Sequence, residues 1–191
     1  MTRRRLLKIL AVVPFGSALL AACGDDTLSN VAPQAGSAGQ TTLRSLPKKG
    51  KAPEWDNSTW LNSEKFSLNS LQGKVVLVEF WTFGCYNCQN VMPSLKGWYE
   101  DYKDRGFEII AMHAPEFDYE KKLENVQQAI KDRGLKYPVA IDNDFTTWNK
   151  FGVRAWPTLY LLDKQGYIRY NHIGEGAYDQ TRAAIETLLA E

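Results

Sequence analysis

The run Val75-Val-Leu-Val-Glu-Phe-Trp-Thr-Phe-Gly-Cys-Tyr-Asn-Cys88 decides how this chain folds. From Val75 to Trp81 it is apolar except for Glu79, the pattern of a strand buried on both faces. Beyond Cys88, the apolar positions Val91, Met92, Leu95, Trp98, Tyr99 and Tyr102 recur with the 3.6-residue period of an amphipathic helix. Pro93 lies inside that helix and predicts a kink, because it has no N–H to donate. The two cysteines thus stand where a buried strand turns into a helix.

Working outward, Phe107-Glu-Ile-Ile-Ala-Met112 forms a second β-rich run. Tyr119, Leu123, Val126 and Ile130 then mark another amphipathic helix. Residues 137–141 predict a third strand, and a short helix is expected over 146–151. Residues 158–162 and 167–170 flank Asp163-Lys-Gln-Gly166, a turn signal that makes them a hairpin. Thr181, Ile185, Leu188 and Leu189 close the chain with a helix. The order β-α-β-α-β-α-β-β-α is that of an α/β domain: a central mixed sheet flanked by helices, with parallel strands first and an antiparallel hairpin last. Upstream, residues 66–74 read as a short strand or turn, and order is expected to begin near Trp60.

The first 22 residues read as a signal peptide. Arg3, Arg4, Arg5 and Lys8 precede an apolar stretch from Ile9 to Ala22, short for a membrane span but suited to export. Leu20-Ala21-Ala22-Cys23 resembles the bacterial lipobox, in which the cysteine becomes the lipidation site. Residues 2–8 also resemble a twin-arginine signal. Residues 23–54 are polar, without periodicity, and read as a lipid-anchored flexible linker. The domain is expected over 55–191, on the extracytoplasmic side of a bacterial cell envelope.

Charge and composition exclude some partners. The formal charge of the whole chain is +1, and removing the leader's four cations leaves about −3. No basic stripe remains for nucleic acid. Aromatic residues make up 12% of the chain, enough to build a core without disulfide staples.

If Cys23 carries lipid, Cys85 and Cys88 have only each other. At a strand-to-helix junction the first cysteine meets unpaired backbone N–H groups and the helix dipole, which favour the attacking thiolate. The second lies one turn on and can release a mixed disulfide. Cys85 is therefore assigned as nucleophile and Cys88 as resolving thiol. A structural disulfide would close too short a loop to add much stability. Zinc would need two more ligands, and His113 and His172 lack ligand spacing. Covalent haem needs histidine where Gln89 stands.

Residues 79–88, with Trp81 four positions before the first cysteine, resemble the active-site strand and turn of the thioredoxin superfamily. Pro93 matches that family's helix proline, and Trp156-Pro157-Thr158 resembles its cis-proline loop. Trp60-Leu-Asn-Ser63, residues 73–78, Phe80-Trp-Thr82, His113-Ala-Pro-Glu-Phe117 and residues 137–144 resemble the TlpA/ResA branch of membrane-tethered oxidoreductases, and within it the DipZ-like group. The likeness covers about residues 55–191 and includes an extra helix between the second and third core strands.

The resemblance implies further roles. Glu79 corresponds to a buried acid that handles the resolving cysteine's proton. Pro157 is expected to be cis, to lie against the redox pair and to exclude metal. Trp81, Tyr86, Asn87, Trp156 and Pro157 are expected to contact substrate. No cofactor is expected beyond the redox-active disulfide Cys85–Cys88, and no metal. The implied partners are exported proteins with disulfides or dithiols, apocytochrome c among them, and a membrane thiol donor of the CcdA/DsbD kind.

Two departures bear on function. Tyr86-Asn87 is neither the Gly-Pro of reducing thioredoxins nor the Pro-His of strong oxidants, so the direction of electron flow is open. A glutamate found three residues past the second cysteine in some ResA-type proteins is Val91 here, which leaves Glu79 or Glu116 as the acid. His113 and Glu116 are expected to border the site or to anchor its loops. Two alternatives stand beside the oxidoreductase. A peroxiredoxin-like peroxidase would use Thr82 in a P-x-x-x-T-x-x-C setting, but Val78 replaces its proline. A copper chaperone or binding lipoprotein on this fold would ordinarily space its cysteines by three residues, not two.

Overall fold

The computed structural model describes residues 45–191. The expected signal peptide, the lipid site Cys23 and the linker up to residue 44 lie outside the described residues.

Strand β3 (Val75–Trp81) runs through the middle of a single sheet. It is parallel to β4 (Phe107–His113) on one side and antiparallel to β6 (Thr158–Leu162) on the other. β5 (Val139–Ile141) extends the parallel half, and β7 (Tyr167–Ile173) pairs with β6 as the antiparallel hairpin. Two-residue strands close the edges: β1 (Gly50–Lys51) against β7, and β2 (Trp60–Leu61) against β5. The sheet order is β1-β7-β6-β3-β4-β5-β2. The helices are α1 (Tyr86–Tyr102), α2 (Leu123–Arg133), α3 (Thr146–Lys150) and α4 (Tyr178–Ala190).

Every residue of β3 and β4 is buried, because both faces of the sheet are covered. Val75, Leu77 and Trp81 pack with Cys88, Leu95 and Trp98 of α1, Val126 of α2 and Ile185 of α4. Val76, Val78 and Phe80 face the other way, onto Trp55, Trp148 and Phe151. Side chains alternate along a strand, so Glu79 shares the α1 side with Leu77 and Trp81. α1 continues through Pro93, whose missing N–H deprives the Gln89 carbonyl of its helical donor.

The domain begins earlier than the composition suggests. Residues 45–54, read as the end of a flexible linker, are tied along the sheet edge. The Lys49 and Ala52 amides donate to the Ile168 and Gly166 carbonyls at 2.8 and 3.0 Å, and Arg169 Nε donates to the Leu46 carbonyl at 2.7 Å. Trp55 is buried and its indole N–H donates to the Phe66 carbonyl. Backbone pairing at an edge needs no hydrophobic period, so polarity alone misled. Other boundaries shift too. Residues 69–71 form a 3-10 turn, β7 runs three residues further, and Tyr119 lies in a separate 3-10 turn (Asp118–Lys121) before α2.

Asn57 fastens this N-terminal segment to the sheet. Its amide donates to the Ile141 carbonyl and to Asp142 Oδ1, and its oxygen accepts the Thr147 hydroxyl at 2.6 Å. Asp142 also accepts the Thr147 and Trp148 amides that open α3. Asn57→Ala leaves buried partners unpaired and is expected to cost about 1–3 kcal/mol. In urea unfolding the midpoint should fall with an unchanged slope.

Candidate active site

Cys85 is the cap of α1. Its backbone is extended (φ −71°, ψ 119°), and its Sγ accepts the Cys88 amide N–H at 3.3 Å. The Cys85 carbonyl takes the Gln89 N–H, the first bond of the helix. Both cysteines are free thiols; Cys85 is half-buried and Cys88 fully buried. Burial pushes the Cys88 thiol far above the ordinary thiol range. Its hydrogen bond to Cys85 and the charge of Glu79 push the same way, against a hydrogen bond from the Thr82 backbone. The pair is chemically unequal: one sulfur at the surface on a helix N-terminus, the other in the core.

Glu79 is fully buried and neither carboxylate oxygen has a hydrogen-bond partner. Loss of solvation raises its pKa from the usual carboxylate range to about 8. It is thus a carboxyl group that titrates close to neutrality, and its charge is felt by a thiol that holds its proton tightly. Tyr137, just before β5, belongs to the same buried cluster, and its hydroxyl also lacks a partner. Burial, then the charges of Glu79 and Cys88, hold that phenol well above its ordinary pKa.

The Trp156–Pro157 peptide bond is cis. Pro157 is buried, and its carbonyl accepts the Gly174 N–H at 2.7 Å, which joins this loop to the end of β7. Trp156 is half-buried: its indole donates to the Ala114 carbonyl, and its ring lies 4.5 Å from that of Trp148. Tyr86 is 74% exposed and Asn87 is exposed, so both face solvent in the first turn of α1.

Trp81 corrects its expected role. It has no exposed surface and packs against Cys88 from behind, so it supports the pair and does not contact substrate. Its place in a strand buried on both faces leaves no other option. His113 is likewise interior, held neutral with a pKa lowered to about 4 by burial. The Thr82 hydroxyl is 3.4 Å from His113 Nε2. Glu116 is exposed, and its amide rather than its carboxylate is engaged, by Glu120. Glu120, Arg133 and Tyr137 reach the site without any signal in the sequence: they sit in charged or strand-like surroundings like many others. Among the described residues, no group of three or more His, Cys, Asp or Glu could hold a metal ion, and no helix is long and apolar enough to cross a membrane.

The model of the AhpC/TSA family matches residues 49–171. Protein DipZ of Mycobacterium tuberculosis is 42% identical over 148 residues, which cover 75% of this chain and 21% of DipZ. The chain therefore spans about a fifth of the length of that relative. Thiol-disulfide oxidoreductase ResA of Bacillus anthracis is 37% identical over 131 residues, or 69% of this chain and 70% of ResA. A crystal structure of a thiol-disulfide isomerase from Corynebacterium glutamicum aligns with a TM-score of 0.67 at 27% identity, over 73% of this chain and 97% of that one.

The buried acid makes stability depend on pH. A carboxylate whose folded pKa is raised to about 8 stabilises the fold fully below its unfolded pKa, and that contribution is lost as pH rises through 8. The loss should be on the order of 4 kcal/mol between pH 4 and 9. Glu79→Gln should remove this dependence and be the more stable protein at pH 9. Urea unfolding across that range is the measurement, and parallel curves for the two proteins would contradict the burial of an unpaired carboxylate.

Proposed function

The chain belongs to the AhpC/TSA family and, within it, to the thioredoxin-like thiol–disulfide oxidoreductases, and on that premise we propose that it exchanges disulfides with exported proteins through Cys85 and Cys88. The inequality of the two sulfurs carries this reading: a helix-capping sulfur open to solvent, with a buried, proton-holding thiol and an unpaired acid behind it.

In the reducing direction, the Cys85 thiolate attacks one sulfur of a substrate disulfide. The S–S bond breaks and the other substrate sulfur leaves as a thiolate. Cys88 then gives its proton to ionised Glu79 and attacks Cys85 Sγ. This forms the Cys85–Cys88 disulfide and releases the second substrate thiol. Two electrons pass from the pair to the substrate, and oxidation is the same sequence reversed. Tyr86 and Asn87 border the attacking sulfur, and the Trp156–Pro157 loop supplies a wall for the substrate chain. The pair is its own electron carrier and needs no cofactor or metal.

The setting is proposed on the sequence. A signal peptide and lipid on Cys23 would place the domain on the extracytoplasmic face of a bacterial envelope. There a membrane thiol donor of the CcdA/DsbD kind would return electrons to the pair. Maturation of cytochrome c is a fitting use, since apocytochrome cysteines must be reduced before haem is attached. A potential near −270 mV, about that of thioredoxin, would place the protein among the reductants, and one near −120 mV among the oxidants.

Cys85→Ser should abolish reduction of a model protein disulfide. Cys88→Ser should attack once and stop as a mixed disulfide, seen as a substrate adduct by mass spectrometry under non-reducing conditions. Undiminished turnover by Cys85→Ser, or stoichiometric copper held by the reduced protein, would overturn the proposal.

A further inference from the structure

We propose that Glu120 and Arg133, both in the insertion between β4 and β5, are positioning residues that pin the Phe83–Gly84 peptide unit, one residue ahead of Cys85, and so bias the redox pair towards its disulfide. The inference rests on the thiol–disulfide reading of Cys85 and Cys88.

The peptide unit joining Phe83 to Gly84 is held at both ends. Its N–H, on Gly84, donates to Glu120 Oε1 at 2.8 Å. Its carbonyl, on Phe83, accepts Arg133 Nη2 at 2.7 Å and Gln89 Nε2 at 3.1 Å. The Phe83 ring stacks on His113 at 5.7 Å and meets Tyr119 edge-on at the same separation. Gly84 has no Cβ for a reason: a Cβ there would collide with the Glu120 carboxylate and lie 2.8 Å from the Tyr119 hydroxyl.

A simpler role for Glu120 covers only half of its contacts. It is the third residue of the 3-10 turn Asp118–Lys121, and its Oε2 reaches back to the Glu116 and Phe117 amides at 2.6 and 2.9 Å, as in an ordinary capping arrangement. Capping does not require the other oxygen to cross to Gly84, 36 positions earlier in the chain. Nor does it require Arg133, at the far end of α2, to reach the other end of the same peptide unit. Glu120 is fully buried, and its three N–H donors come from two different loops.

The chemical consequence follows from where the pinned unit lies. A peptide plane held at both its N–H and its C=O cannot rotate, and only the Gly84 torsions separate it from Cys85. With that plane fixed, the path of the chain into Cys85 is constrained, and the Cys85 sulfur lies over the first turn of α1 within hydrogen-bond reach of the Cys88 thiol. Holding two reacting groups in place raises their effective concentration and favours bond formation between them. The clamp therefore favours the Cys85–Cys88 disulfide over the dithiol. A glutamine at position 120 supplies only one carbonyl oxygen, so its amide nitrogen must oppose either Gly84 or the two capping amides.

The test is the thiol–disulfide equilibrium of the full chain in glutathione buffers. Glu120→Gln and Arg133→Met should each raise the dithiol-to-disulfide ratio several-fold, towards tenfold or about 30 mV for the stronger. The double variant should shift it by less than the product of the two, because both residues act through the same peptide unit. Asn125→Ala is the control. It cuts a bond to the Tyr119 carbonyl within the same insertion but touches neither end of the 83–84 unit. It should lower the melting temperature and leave the equilibrium unchanged. Arg133 is half-buried, so its variant carries the test even if Glu120→Gln fails to fold. Single variants with the wild-type ratio, a shift towards disulfide, or an equal shift from Asn125→Ala would overturn the clamp. A wild-type protein with no measurable dithiol–disulfide couple would overturn instead the redox reading beneath it.

Discussion

The burial of β3 on both faces is the constraint from which the rest of the structure follows. A strand with no exposed residue must have a layer on each side, and here α1, α2 and α4 supply one while the N-terminal segment and α3 supply the other. Such a strand can end only at an edge of the core, where its backbone emerges beside the helices that cover it. The turn that leaves β3 is therefore delivered to the surface at the N-terminus of α1, with N–H groups free to meet a sulfur. The same burial imposes a cost at Glu79, whose carboxylate is sealed in with no partner.

The two cysteines lie nearly one helical turn apart, so their sulfurs are neighbours, but Cys85 has the extended backbone of a cap and only Cys88 stands within the helix. Cys85, as the cap, stays at the boundary with solvent, and Cys88 is carried round to the core side among Trp81, Val91 and Leu159. Cys85 is partly open to solvent and Cys88 is not. On the proposed reading, that order of access, more than the C-x-x-C pattern itself, would separate attack from resolution. The Tyr137 hydroxyl and both Glu79 carboxylate oxygens are buried without hydrogen-bond partners, so the polar groups nearest the Cys88 side of the core are shut off from bulk water.

What was legible in the sequence was what hydrophobic patterning and turn chemistry encode. Val75–Trp81 shows its burial as an unbroken apolar run, and Val91, Leu95 and Trp98 show the face of α1. Asp163 to Gly166 announces the hairpin. The resemblance carried by Trp156-Pro157-Thr158 indicated the cis peptide, which no periodicity encodes. Edge pairing was not legible, because Lys49 and Ala52 contribute backbone groups whose partners lie more than a hundred residues away. Trp81 was placed too near the surface, since a tryptophan beside an active site reads alike whether it faces substrate or supports the pair. Glu120 and Arg133 were invisible for a different reason. A charged side chain in the stretch Asp118-Tyr-Glu-Lys-Lys reads as solvated, and only the folded path of the insertion turns one of them inward.

That insertion changes how the domain should be regarded. Without it, the turn before Cys85 would rest on its own strand, on His113 and on Gln89. With it, a segment remote in sequence supplies hydrogen bonds to both ends of one peptide unit and the Tyr119 ring against Phe83. The dipeptide between the cysteines is exposed and makes few demands on its surroundings, whereas the peptide before them is fixed from several directions. A redox pair can be tuned from either side of its first sulfur. In this chain the proposed clamp lies on the N-terminal side, in residues that hydrogen-bond to neither cysteine.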